Sequence, residues 1–417
     1  MRVLVYPHDL GIGGSQLNAI ELAAAVRDRG HDVLVFGREG ALVSRIRDLG
    51  LEFVPAPAPG KRPSPTTARA LRDLVEDRDI DVVHGYEWPP TLDAVLAFPG
   101  GRTPVVSTVM SMSVPPFIPR SIALVVGTEQ IADAERRSGR DRVEVIEPPV
   151  DLAHNRAGDD VDVDAFRRTH GLRPDATTIV SVARLAHELK LEGTLVAIAA
   201  VGRLARTRAV QLVLVGDGPA RATVEAAAAA ANADAGHRAV VLAGQVDDPR
   251  AAYGAADIAL GMGGSALRAL AFGAPLVVQG EQGFWRTLTP QSVDGFLWTG
   301  WYGWGDGAAS GAAAFAREVE PLIDEAQRRR VLGAYGLGLV RERFSLERAA
   351  ALQERIYLDA LAGPAPRARA SEAAAYARYA RYYGVKRVRR ALGRESTDDF
   401  NARPVAALAT RERGAAR

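Results

Sequence analysis

The stretch LGMGGSALRALAFGAPLVV, residues 260–278, runs from an apolar strand end through glycines into a small-residue helix. Gly273, Ala274 and Pro275 then lead into a second apolar run. This is the strand–helix–strand unit of a parallel sheet, with a glycine turn ahead of the helix N-terminus. The same rhythm extends in both directions. Upstream lie TIVSVARL (178–185), a helix from about Lys190 to Arg206, VQLVLVGDG (210–218), an Ala-rich helix, VVLAG (240–244) and DIALGM (257–262). Downstream lie PLVVQG (275–280) and FLWTG (296–300), the latter read as a further strand.

The first 150 residues repeat the pattern. RVLVYP (2–7), DVLVFG (32–37), LEFVPA (51–56), DVVHGY (81–86), VVSTV (105–109), ALVVGT (123–128) and VEVIEP (143–148) are near-continuous apolar runs. Such runs suit parallel strands covered on both faces. Prolines, Asn, Gly and Asp in EPPVDLAHNRAGDDVD (147–162) mark a linker. The expected architecture is α/β, two Rossmann-like doubly wound parallel-sheet domains facing a cleft. Their expected spans are 1–150 and 151–345, with a closing helix at 346–363 and a basic C-terminal helix and tail at 364–417. Ala309–Arg341 is also read as helical. PAPRAR (364–369) reads as a spacer, and the last twenty-odd residues read as disordered.

The 417 residues exceed one ordinary core, which agrees with two domains. There are no cysteines, which excludes disulfides and thiolate chemistry and fits a cytoplasmic location. No run approaches a membrane span, and the N-terminus enters a strand with no leader pattern. The net charge of +2 conceals an asymmetry. Residues 364–417 hold 13 Lys/Arg and 5 Asp/Glu, leaving 39 basic and 45 acidic residues elsewhere. This balance points to a local role for the tail and not to a nucleic-acid-binding fold.

In open α/β sheets ligands sit beyond the C-terminal strand ends. Four loops there carry candidate chemistry. HDLGIGGSQLNAIELA (8–23) has Gly11, Gly13 and Gly14 for close backbone approach, with Ser15 as a cap; an anion is the natural guest, and a plain tight turn is the alternative. SVARLAHELKLEG (181–193) brings Arg184 and Lys190 near one strand end, a pair suited to clamping a diphosphate or simply solvated at a surface. VGDGPAR (215–221) reads as structural. The glycines before the helix of 260–278 expose free amides to a phosphate or to sugar hydroxyls.

Taken in order, these stretches resemble the retaining glycosyltransferases of family 4, which have the GT-B architecture. The resemblance covers roughly residues 1–362. It rests on GIGGSQLNAIELAAAVRDRGHDVLVF, VIEPPVDL, SVARL followed by Lys190, LVLVGDGP, LAGQVDD, YGAADIAL and LGMGGSALRALAFGAPLVV. It implies a nucleotide-diphosphate-sugar donor, no other cofactor and no metal. Gly13 and Gly14 would lie near the donor diphosphate, which Arg184 and Lys190 would neutralise. Gly244, Gln245 and Val246 would lie near the nucleobase. Gly263, Gly264 and Ser265 would face phosphates or sugar. The first domain would hold a small-molecule or glycan acceptor.

The sequence departs from the family at specific points. Counting back from Gly273 and Pro275 puts the paired glutamates of the E-x7-E motif at Leu260 and Arg268. The second commonly holds the nucleotide ribose, and Arg268 reverses its charge. The first-domain histidine falls at Met110, and His84 is a less natural substitute. Ser265, Gln279, Glu281 and Gln282 lie near the right strand end, with Glu281 the candidate replacement carboxylate. Three readings stay open: an atypical glycosyltransferase, a nucleotide- or sugar-binding protein that has lost transfer, and a GT-B enzyme running pseudo-glycosyl coupling or epimerisation.

Residues 280–307 hold Trp285, Trp298, Trp301 and Trp304, either a stacking platform for an acceptor or a local core. His8 and His187 stand beside the proposed cleft, and Asp9 is placed to orient His8. The tail, with Tyr376, Tyr379 and Tyr383 among arginines, suits peripheral membrane contact, packing on the body, or a homodimer.

Overall fold

The computed structural model describes residues 1–58, 60, 62–363, 369–392, 400 and 405. Two compact units emerge. The first comprises Met1–Pro149 and the described residues from Leu346 onward; the second is Val150–Ser345.

In chain order the first unit contains β1 (Arg2–Tyr6), α1 (Gly14–Arg27), β2 (Asp32–Gly37), α2 (Val43–Asp48), β3 (Glu52–Pro55), α3 (Pro65–Asp77), β4 (Val82–Tyr86), α4 (Trp88–Ala97), β5 (Val105–Val109), β6 (Ala123–Val126), α5 (Glu129–Arg137) and β7 (Val143–Val145). Its sheet is parallel throughout, in the order β3-β2-β1-β4-β5-β6-β7. Strands β1 and β4 are buried almost end to end, which explains their unbroken Val and Leu runs.

The second unit contains α6 (Val163–His170), β8 (Thr177–Val182), α7 (Leu191–Leu204), β9 (Val210–Val215), α8 (Arg221–Ala235), β10 (Val240–Gly244), α9 (Arg250–Gly254), β11 (Ile258–Gly261), α10 (Gly264–Ala271), β12 (Leu276–Gln279), β13 (Trp285–Thr287), α11 (Val293–Thr299), a 3-10 turn at Ala308–Ser310, α12 (Gly311–Asp324) and α13 (Ala326–Arg343). The order is β10-β9-β8-β11-β12-β13, parallel except for β13, which returns antiparallel to β12. The chain then completes the first unit with α14 (Leu346–Ala362) and α15 (Arg369–Ala391).

Three expectations need correction. FLWTG is the C-terminal part of helix α11, not a strand. Ser292 and Thr289 exchange hydrogen bonds ahead of that helix, and Gly300 closes it in the left-handed conformation at φ 77°. The helical stretch expected at 309–341 divides between α12 and α13 around Glu325, four residues after Pro321. Helix α1 begins earlier than its first polar residue suggests: Gly13 is the N-cap, and Ser15 lies inside the helix. The spacer at 364–368 and the expected disorder beyond residue 392 fall almost wholly outside the described residues.

Helix α14 completes the core of the first unit. Ala349, Ala350, Ile356, Tyr357 and Ala360 share one apolar cluster with Val3, Val5, Ala19 and Ile20. Tyr357 Oη also meets His84 Nδ1 at 2.6 Å, while His84 Nε2 meets Thr108 Oγ1 at 2.7 Å. Burial drives the His84 pKa down to about 3. His84 is a neutral core residue that ties β4 to β5 and α14.

Candidate functional site

In the second unit the sheet order reverses between β8 and β11, adjacent strands paired in register from Ile179↔Ile258 to Ser181↔Leu260. Loops leaving these strands diverge, and the divergence opens a crevice at their C-terminal ends. Arg184 and Lys190 lie in the loop after β8, which ends at α7. Arg184 is exposed. Neither its guanidinium nor the Lys190 ammonium has a hydrogen-bond or ion-pair partner among the described residues. Burial pulls the Lys190 pKa down to about 8. An ammonium without a counter-charge in a poorly solvated place is ready to receive an anion.

Glycines hold that loop in place. Gly216 has φ 136°, and a Cβ on it would fall 2.0 Å from the Ala183 carbonyl oxygen. At Gly218, with φ 159°, a Cβ would fall 2.5 Å from the Leu185 carbonyl oxygen. The amides of Ala183 and Leu185 donate to the carbonyls of Val215 and Asp217 at 2.9 and 3.0 Å. The VGDGP segment therefore grips the backbone on both sides of Arg184. From the other side, Gln279 Nε2 donates to the Lys190 carbonyl at 2.9 Å. The Glu192 carboxylate accepts from the amides of Gln282 and Gly283 at 3.2 and 2.7 Å.

Across the reversal, Gly263 has φ 54° and caps α10. Its amide donates to Trp301 O at 3.1 Å. Cβ atoms on Gly263 or Gly264 would meet nothing within 4 Å, so the backbone there faces open space. Ser265 Oγ donates to Met262 O at 3.0 Å. Leu260, the first position reached by counting the E-x7-E motif, is buried in β11 among the core side chains. Only Met262 and Gly263 separate β11 from α10, and neither carries a carboxylate. Arg268 is half-buried on α10, and its charge acts on Tyr253. Gly244, the last residue of β10, has φ 73° and accepts from the Gly216 amide; in the turn that follows, Gln245 is exposed and Val246 half-buried.

Glu281 is half-buried in the β12–β13 turn, where its Oε2 accepts from Tyr302 Oη at 2.6 Å. Burial and this carboxylate together push the Tyr302 phenol far above its ordinary pKa. Trp285, read as part of an acceptor platform, is instead 4% exposed and sits edge-on to Phe315 in the core. Trp301 is likewise buried, stacked on Phe296. Both face inward because their neighbours in sequence form β13 and the cap of α11. Trp298 remains 40% exposed.

The first unit carries a second cluster at its own reversal, between β1 and β4. His8 and Asp9 follow β1, with Nε2 to Oδ2 at 2.8 Å. Gln16 Nε2 donates to Asp9 Oδ1 at 2.9 Å and lies 3.2 Å from His8 Nε2. Glu87 follows β4 with φ 68°, a conformation that strains a side-chain-bearing residue. Its buried carboxylate accepts from the Met110 amide at 2.9 Å and Ser111 Oγ at 3.0 Å, with Ser15 Oγ at 3.5 Å. Burial raises the Glu87 pKa, against the opposing pull of His8 and these donors. Burial also opposes charge on His8, but Asp9 and Glu87 outweigh it and hold the imidazole above its ordinary value. The hydrogen bond from His8 drops Asp9 well below the usual carboxylate range. His8 Nδ1 is buried with no partner among the described residues.

Glu87 was not anticipated from sequence. The sequence shows only a carboxylate directly after the apolar run DVVHGY. Met110 enters this cluster through its backbone. Gly13 and Gly14 adjoin it at the start of α1, with open space at the Gly14 Cβ position. His187 is exposed in the β8–α7 loop.

Comparison with known proteins follows this division. Residues 12–154 match the family model of Glycosyltransferase Family 4, and residues 176–327 match that of Glycosyl transferases group 1. No curated protein matches in sequence. Among solved structures, a glycosyltransferase from Rickettsia africae is 16% identical with a TM-score of 0.67, covering 86% of this chain and 98% of its own. Anabaena HepE in complex with UDP is 15% identical with a TM-score of 0.66, covering 86% and 100%. Sucrose-phosphate synthase from Thermosynechococcus elongatus is 17% identical with a TM-score of 0.65, covering 87% and 100%. The chain thus has the GT-B fold and matches two glycosyltransferase domain models in tandem, over residues 12–154 and 176–327.

Proposed function

We propose that this protein transfers a sugar from a nucleoside-diphosphate donor to a hydroxyl of a small molecule or glycan, with retention and without a metal. The observation that carries the reading is the pair of cations at the β8–β11 reversal, Arg184 and Lys190, neither satisfied by the described protein. The solved complex of HepE with UDP supports a uridine nucleotide as the first donor to test.

In this reaction the bond from the sugar's anomeric carbon to the β-phosphate oxygen breaks. A bond from the acceptor oxygen to the same carbon forms on the same face. The acceptor proton passes to the departing phosphate. Negative charge accumulates on the diphosphate, where Arg184 and Lys190 neutralise it; fixed cations in a poorly hydrated site lower the barrier because they need no rearrangement. The free amides at the start of α10 add to the same field. Glu281 supplies the carboxylate for donor hydroxyls that the short β11–α10 turn does not offer. His8 and Glu87 belong to the acceptor side, in the first unit.

The departures at Leu260 and Arg268 favour one alternative, a protein that binds the nucleotide and no longer transfers. A panel of nucleotide sugars separates the two. Donor hydrolysis that disappears in Arg184→Ala and Lys190→Ala supports the enzyme. Thermal stabilisation by nucleotides with no turnover for any acceptor supports the binding protein.

A further inference from the structure

Helix α15 has two apolar faces. The first is used within its own unit. Tyr376 Oη donates to Leu92 O at 3.2 Å, and Arg378 Nε donates to Pro116 O at 2.8 Å. The Glu372 carboxylate accepts from the Gly100 amide at 3.3 Å. Tyr379 is buried against Trp88 and Phe117, with ring centroids 5.5 and 5.2 Å away.

The second face begins where this anchoring ends. Val385, Val388 and Leu392 are 47, 60 and 64% exposed. Val388 lies nine positions beyond Tyr379. At about 100° per residue that is half a turn of the helix wheel, so the exposed stripe points away from the anchored side. Arg381 and Arg389 stand one turn from Val385 on either side along the same face. Between Arg378 and Leu392 there are five Lys/Arg and no Asp/Glu.

We infer that this second face docks on an anionic lipid surface. A second copy of the helix would meet the stripe but set five positive charges against five more. A nucleic acid would meet the charges and leave the aliphatic stripe in water. A bilayer with acidic headgroups satisfies both: the valines and leucine enter between headgroups while the arginines reach the phosphates. The anchored first half fixes which side of the helix is presented. The inference does not depend on the transfer reaction.

The test is sedimentation of the full chain with phosphatidylcholine vesicles, with and without phosphatidylglycerol. Binding is expected only to the acidic vesicles and is weakened by salt. Val385→Ser/Val388→Ser/Leu392→Ser should weaken it by roughly tenfold or more. Arg381→Gln/Arg389→Gln should weaken it by roughly twentyfold, at about fivefold per charge near the surface. The unfolding midpoint of each variant is followed alongside and should not move. Failure to bind acidic vesicles overturns the inference. So does undiminished binding by the triple serine variant, or RNA binding without vesicle binding. A fall in the triple variant's midpoint would place the stripe in a core. Its conversion from dimer to monomer would name a second copy as the occupant. Either result also overturns the inference.

Discussion

The two units reverse strand order in the same way and line the reversal with opposite chemistry. In the second unit the lining is glycine backbone and two cations that the described protein leaves unsatisfied. In the first it is a wired group of imidazole, amide and carboxylates, in which nearly every polar atom has a partner. One site is preset to attract charge from outside. The other holds its own charges in balance. A shared topology fixes where a ligand binds, and the side chains after the strands decide which ligand.

The largest expected effect tests the cation side. Lys190→Ala should lower kcat/KM for the nucleotide sugar by about 10²–10³, and Arg184→Ala similarly, the scale seen when one fixed donor is removed from a charged transition state. Steady-state rates on saturable donor give the answer. An effect below about threefold would leave the second unit with no electrostatic role.

Next is the glycine grip. Gly216→Ala should cost about 3 kcal/mol by denaturant unfolding, since its Cβ lands on the Ala183 carbonyl in a strained conformation. It should also weaken UDP binding by displacing Arg184. Gly14→Ala, with no protein atom near the new Cβ, should leave the unfolding free energy nearly unchanged. Equal losses would erase the contrast between the units.

Glu87→Gln should cost about 1–3 kcal/mol, because an amide NH2 would face the N–H and O–H donors that the carboxylate now accepts. It should also lower the His8 pKa by removing one of the charges that raise it. An NMR titration of the imidazole reads this shift, and no change would disconnect the two residues.

The smallest effect concerns protons. Free Lys190 titrates near 8, and a bound diphosphate favours its charged form. UDP affinity should therefore be flat below pH 8 and fall as pH rises above it. At pH 8 binding should draw in about half a proton, measurable as a buffer-dependent heat. A heat independent of buffer would mean Lys190 does not meet the diphosphate.

Much of this was legible in the sequence. Strand runs such as RVLVYP and VQLVLV could be read because burial on both faces leaves little freedom in composition. Arg184 and Lys190 stood out because they follow such a run. FLWTG misled because a short apolar run fits helix or strand alike, and Gly300 and Ser292 decided it. Trp285 misled because a tryptophan's exposure depends on partners distant in sequence, here Phe315. Glu87 was overlooked because its importance comes from β4 lying beside β1, a fact of strand order.

Helix α14 has a consequence for how the chain is made. The first unit's core lacks Ala349, Ile356 and Tyr357 until roughly the last sixth of the sequence has been synthesised. Until then His84 Nδ1 has no phenol to meet. The described residues of the second unit are continuous in sequence and include all its strands by residue 287. A chain truncated ahead of residue 346 would keep every strand of both sheets and leave the first unit's core open along the face that α14 covers.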